Sequence, residues 1–60
     1  MTFNIEIVRA DGGIVYRVAV DEMSPSRAKT KAAALLNLYS GRGATGARVS
    51  NDKDEELYKL

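Results

Sequence analysis

Two alternating runs of residues flank the short segment Arg9-Ala10-Asp11-Gly12-Gly13, and that pattern restricts the fold more than any other feature of the chain. Phe3, Ile5 and Ile7 alternate with Asn4, Glu6 and Val8, and Ile14, Tyr16, Val18 and Val20 alternate with Val15, Arg17 and Ala19. A period of two is the signature of a half-buried strand. Asp-Gly between two such runs signals a two-residue type I′ hairpin. With Asp11-Gly12 at the turn, Ile7 pairs with Tyr16, Ile5 with Val18 and Phe3 with Val20. The same register sets Glu6 opposite Arg17 and Val8 opposite Val15 on the other face. A turn at Gly12-Gly13 would instead bring Val8 opposite Arg17; the first register is preferred.

A helix follows the hairpin. Ser24 is a suitable N-cap and Pro25 a suitable first helical residue, and no glycine or proline interrupts the chain from there to Tyr39. Ala28, Ala32, Leu35, Leu36 and Tyr39 share one stripe at helical spacing, with Ser26, Thr30, Ala33 and Asn37 opposite. Gly41 stands where a left-handed residue would end the helix. Ala47 and Val49 suggest a short third strand, Asn51 to Asp54 is turn chemistry, and Glu55 to Leu60 can return as a fourth strand. Two registers compete there, one pairing Ala47 with Tyr58 and the other Val49 with Leu57. A short C-terminal helical turn is a further alternative.

The expected fold is therefore α+β and two-layered: a small antiparallel sheet in the order β-β-α-β, closed as β-β-α-β-β, with one helix packed on one face. Sixty residues form a single domain, 1–60, close to the lower limit for unaided folding. Such a chain buries only about 60% of its unfolded surface, so a disulfide, a metal or self-association commonly helps. Cysteine is absent, which removes disulfides and thiolate metal sites; histidine is absent, which removes the commonest metal ligand and general base. No cofactor and no metal is expected. A hydrophobic fraction of 45% with a net charge of +1 excludes intrinsic disorder. The start MTFNIEIVR lacks a basic segment followed by an apolar core, and the longest apolar run, Ala32 to Leu36, is far short of a membrane span. The expected location is cytoplasmic, without a membrane partner.

Three motifs match by letters and fail on context. Gly41-Arg42-Gly43-Ala44-Thr45-Gly46 reads G-x-G-x-x-G, but a dinucleotide fingerprint follows a strand and opens a helix. Here the glycines follow the helix, where carbonyls and the negative dipole end repel phosphate. Ser26-Arg27-Ala28-Lys29 reads S-x-x-K without the companion motifs of penicillin-binding enzymes. Asp52, Asp54 and Glu56 have the opening spacing of an EF-hand loop, yet position six is Leu57 rather than glycine.

Charge is more informative. No acidic residue occurs between Met23 and Asn51, while Arg27, Lys29, Lys31, Arg42 and Arg48 all fall in that span. Basic charge in the first turn opposes the helix dipole, so this cluster is a candidate contact for nucleic-acid phosphates or an acidic partner. The plainer alternative is that Asp21, Glu22 or the acidic tail neutralises it. The sheet face away from the helix carries Asn4, Glu6 and Val8, then Val15, Arg17 and Ala19, then Arg48 and Ser50. Of these, Val8, Val15 and Arg17 are candidates for a homodimer face. No motif specifies a function. The leading expectation is a non-enzymatic protein–protein interaction or accessory module with an unidentified protein partner, in part as a homodimer; the alternative is weak nucleic-acid binding.

Overall fold

A computed structural model describes all residues, 1–60. The elements run β1 (Thr2–Arg9), β2 (Ile14–Asp21), α1 (Pro25–Tyr39), a 3₁₀ turn (Ser40–Arg42), β3 (Ala44–Asn51) and β4 (Glu56–Lys59). The strands form one antiparallel sheet in the order β2-β1-β3-β4, and α1 packs across β1 and β3. This is the expected two-layer α+β arrangement, with β3 longer than the sequence suggested and the C-terminal segment a strand.

The core lies where the helix meets the central strands. Phe3, Ile5 and Ile7 of β1, Val49 and Ala47 of β3, and Ala28 and Ala32 of α1 are almost fully buried, with Val20 and Ala44 at the margins. Each large aliphatic side chain contributes about 1.5–3 kcal/mol by leaving water. The helix buries only alanines completely, so its backbone approaches the sheet closely, while Leu35, Leu36 and Tyr39 are half-buried at the flanks.

Helix α1 starts as expected. Ser24 is extended (φ −151°, ψ 157°), and its hydroxyl accepts the Arg27 N–H at 3.4 Å. It ends differently. The Ser40 hydroxyl donates to the Asn37 carbonyl at 2.8 Å and the chain continues into the 3₁₀ turn. Gly43 (φ 89°), not Gly41, is the left-handed residue that stops it. The Gly43 N–H donates to the Ser40 carbonyl, so one more turn of carbonyls is satisfied before the chain reverses.

The register of the first hairpin agrees with expectation from Phe3–Val20 to Ile7–Tyr16, including Glu6 opposite Arg17. Its turn does not. The loop holds three residues, Ala10-Asp11-Gly12: the Gly12 N–H donates to the Arg9 carbonyl at 3.0 Å, and the Arg9 N–H to the Gly13 carbonyl at 2.8 Å. Gly12 adopts φ 88°, which completes a type I turn followed by a left-handed residue. The extra loop residue would rotate β2 by one position, and a bulge at Val15 restores it. Val8 therefore faces Ile14, not Val15, and Val15 packs against the core.

The second hairpin is built the same way. The Asp54 N–H donates to the Asn51 carbonyl at 3.1 Å and the Asn51 N–H to the Glu55 carbonyl at 3.0 Å. Asp54 takes the left-handed place (φ 62°) that Gly12 fills in the first loop. The Asn51 carboxamide oxygen accepts from the Lys53 and Glu55 N–H groups, which sets the loop. A bulge at Leu57 again follows one regular pair, so Val49 faces Tyr58. Neither register weighed from the sequence is adopted, because neither allowed for a bulge.

Candidate functional site

Three surfaces could do chemistry or binding: the open sheet face, the helix surface, and the free edge of β2. The open face is polar at its centre. One row of directly opposed residues crosses all four strands, Arg17–Glu6–Arg48–Lys59. Arg48 Nη2 donates to Glu6 Oε1 at 2.6 Å, and Arg17 Nε lies 3.7 Å from Glu6 Oε2. Alternation puts these three side chains on the face away from Ile5, Ile7 and Val49, and the Glu6 side chain is only 17% exposed. Both carboxylate oxygens thus face a guanidinium, and the carboxylate is a structural clamp across three strands. A shallow depression of about 280 Å³ lies over it, edged by Asn4, Ser50, Asp54 and Glu56. Its charges are mixed: Glu6 pairs with Arg17 and Arg48, while Asp54 and Glu56 make no ion pair. At the other end of this face Val8 lies between Ile14, which is 50% exposed, and Gly46.

The five cations singled out in the sequence do not form one patch. Arg48 lies on the open face, whereas Arg27, Lys29 and Lys31 ride on the helix and Arg42 sits beyond its C-terminal end. Four of them have partners within the chain. Lys29 Nζ is 4.9 Å from the centre of the Tyr58 ring, Arg42 Cζ 5.7 Å from that of Tyr39, and Lys31 Nζ 3.6 Å from Glu22 Oε2. Arg48 is held by Glu6, and Arg27 makes no ion pair. Asp21 binds the N-terminal ammonium at 2.9 Å, so of the acids expected to neutralise the cluster only Glu22 does so.

The glycines of the fingerprint-like stretch have separate structural tasks. Gly43 supplies the left-handed turn. Gly46 is buried in β3, where a Cβ would come within 2.8 Å of the Leu60 carbonyl oxygen. They form no anion cradle at a helix N-terminus, because that end of α1 lies a full helix length away.

The third surface was not legible in the sequence. β2 forms one edge of the sheet, and α1 lies over β1 and β3, leaving Tyr16 and Val18 half-exposed on the helix side. Tyr16 is steadied by stacking on Tyr39, with ring centres 4.9 Å apart and planes inclined by 19°. The Glu22 N–H donates to the Met1 carbonyl at 2.9 Å. Alternation of the antiparallel ladder then turns the N–H and C=O groups of Arg17, Ala19 and Asp21 outward, away from β1. Between Tyr16 and Asp21 no lysine, proline or bulge blunts this edge. The opposite edge is protected: β4 has four residues, a bulge at Leu57 and Lys59.

Exposed apolar side chains elsewhere are scattered, with Leu38 71% and Met23 82% exposed. No helix is long and apolar enough to cross a membrane. Comparison of the chain with protein-family models, with curated protein sequences and with solved structures found no match in any of the three.

Proposed function

We propose that this chain acts by protein–protein contact, as a non-enzymatic interaction or accessory module, and that the free edge of β2 is its contact element. The carrying observation is the free edge from Tyr16 to Asp21, with three residues offering unpaired backbone groups beside the half-exposed Val18 and its two charges, Arg17 and Asp21, of opposite sign. Such an edge is a template for adding a strand, with main-chain hydrogen bonds giving affinity and alternate side chains giving selectivity. A sequence without histidine or cysteine supports the non-enzymatic part of the reading. A cytoplasmic location belongs to the same proposal, supported by the lack of cysteine in a domain small enough to gain from disulfides.

The test is affinity capture from cells that express the chain, comparing wild type with Ala19→Pro. Proline removes an outward N–H that the β1–β2 ladder does not use, so the fold is kept while strand addition is blocked. Wild type is expected to retain a protein, either a second copy or another chain, and the variant to lose it. Recovery of nucleic acid without protein would overturn the reading in favour of the basic residues, of which Arg27 alone lacks a partner within the chain.

A further inference from the structure

We infer that the partner of β2 is a second copy of this chain, paired antiparallel about a two-fold axis at Ala19 so that two four-stranded sheets become one. The inference rests on the proposed contact role of the β2 edge and names its occupant.

A two-fold strand pair needs residues with outward backbone groups to face one another, and on β2 these are Arg17, Ala19 and Asp21. All three side chains lie on the open sheet face, since Tyr16, Val18 and Val20 point to the helix side. An axis at Arg17 would oppose Arg17 to itself, and one at Asp21 would oppose two carboxylates. An axis at Val18 or Val20 leaves neither charge opposite its complement. With the axis at Ala19, Arg17 faces the partner's Asp21 and Asp21 faces the partner's Arg17. The small Ala19 meets its own copy on the axis, and Val18 comes beside the partner's Val20. Opposite charges directly across an antiparallel pair are favourable and like charges unfavourable.

Both charged groups are available for this. The Arg17 side chain is 61% exposed, with Glu6 at 3.7 Å as its one ion-pair partner. The Asp21 side chain is 86% exposed and uses one oxygen for the N-terminal ammonium. The bulge at Val15 ends the regular edge on one side and the departure of the chain after Asp21 ends it on the other, so the segment that pairs symmetrically about Ala19 is Arg17–Asp21. A contact of this length lies at the small end of the interface range, so the dimer is expected to be weak and concentration-dependent.

Sedimentation of the purified chain across a concentration series, from about 5 μM to about 1 mM at low salt, tests this directly. Wild type is expected to pass from monomer to dimer, and Ala19→Pro to remain monomeric with an unchanged circular dichroism spectrum. Asp21→Arg, which opposes two guanidinium groups at each end of the strand pair, is expected to weaken the dimer by about tenfold or more. Combining Asp21→Arg with Arg17→Asp exchanges the charges across the new pair and is expected to recover part of the affinity, less than all because it also sets a carboxylate opposite Glu6. A wild-type chain that stays monomeric at about 1 mM, or a dimer that survives both Ala19→Pro and Asp21→Arg, would overturn the inference. A monomeric chain that still captures a different protein from cells through β2 would overturn only the choice of a second copy and leave the contact role standing.

Discussion

Tyr16 and Tyr58 occupy equivalent places in the two hairpins. Each is the residue after a bulge, Val15 or Leu57, and each bulge follows one regular pair beyond a three-residue loop. The loop adds a residue that would turn the following strand over, and the bulge takes it back. Each tyrosine thereby reaches the helix side, Tyr16 to stack on Tyr39 and Tyr58 to receive the Lys29 ammonium on its ring.

The two loops differ at the left-handed position, and this gives a paired prediction. Gly12 has φ 88°, and a Cβ placed on it would meet no other atom within 4 Å, so Gly12→Ala changes backbone strain alone. It should cost about 1 kcal/mol, or roughly 4–8 °C in Tm. Asp54 holds φ 62° with a side chain, so Asp54→Gly should be neutral to stabilising by up to about 1 kcal/mol. Thermal and urea unfolding of both variants checks the opposite signs.

Glu6 is the only acid between Arg17 and Arg48 in the row across the sheet. Glu6→Gln leaves two guanidinium groups flanking a neutral amide. A loss of about 1 kcal/mol at low ionic strength is expected, shrinking at about 1 M salt as the remaining repulsion is screened. Urea denaturation at two salt concentrations measures it, and a loss independent of salt would mean that packing rather than charge dominates.

Asp11 ties the first loop to pH. Its carboxylate accepts the Gly13 N–H at 2.8 Å and faces Arg9 Nε at 3.3 Å. The Gly13 hydrogen bond first, and Arg9 second, hold its pKa below the usual value of 3.8. Between the lowered folded value and the unfolded one, the unfolded chain binds more protons, so stability rises with pH there. The contribution is fully present above about pH 4–5 and is lost as pH falls through the folded pKa. Asp11→Asn should be less stable than wild type at neutral pH, with the difference closing in acid. Carbon-detected NMR titration of Asp11 should give a midpoint below 3.8.

Much of this architecture was legible from local signals. Alternation from Phe3 to Ile7 and from Tyr16 to Val20 set both faces of the first hairpin, because a half-buried strand exposes every second residue. Ser24-Pro25 marked the helix start, and the Ala28–Ala32 stripe its buried side, because capping and helical periodicity depend only on near neighbours. The reversed order of helix and glycines was enough to dismiss the phosphate-loop reading. The bulges left no such trace. Val15 and Leu57 are ordinary strand residues, and their displacement compensates a loop length that Asp-Gly alone suggested to be two.

The candidate contact surface belonged to the same blind side. Arg27, Lys29, Lys31, Arg42 and Arg48 are close in sequence, but the sheet separates Arg48 from the helix, and Glu22, Tyr58 and Tyr39 engage three of the others. Sequence by itself determined the first two strands and the helix and, Val15 apart, which side of each is apolar, since those choices are made within a few residues along the chain. Only the tertiary structure decided that β3 inserts beside β1 and leaves β2 at the edge. Strand order is set by contacts between segments distant in sequence, and whether a strand's outer hydrogen-bonding groups are free follows from that order alone.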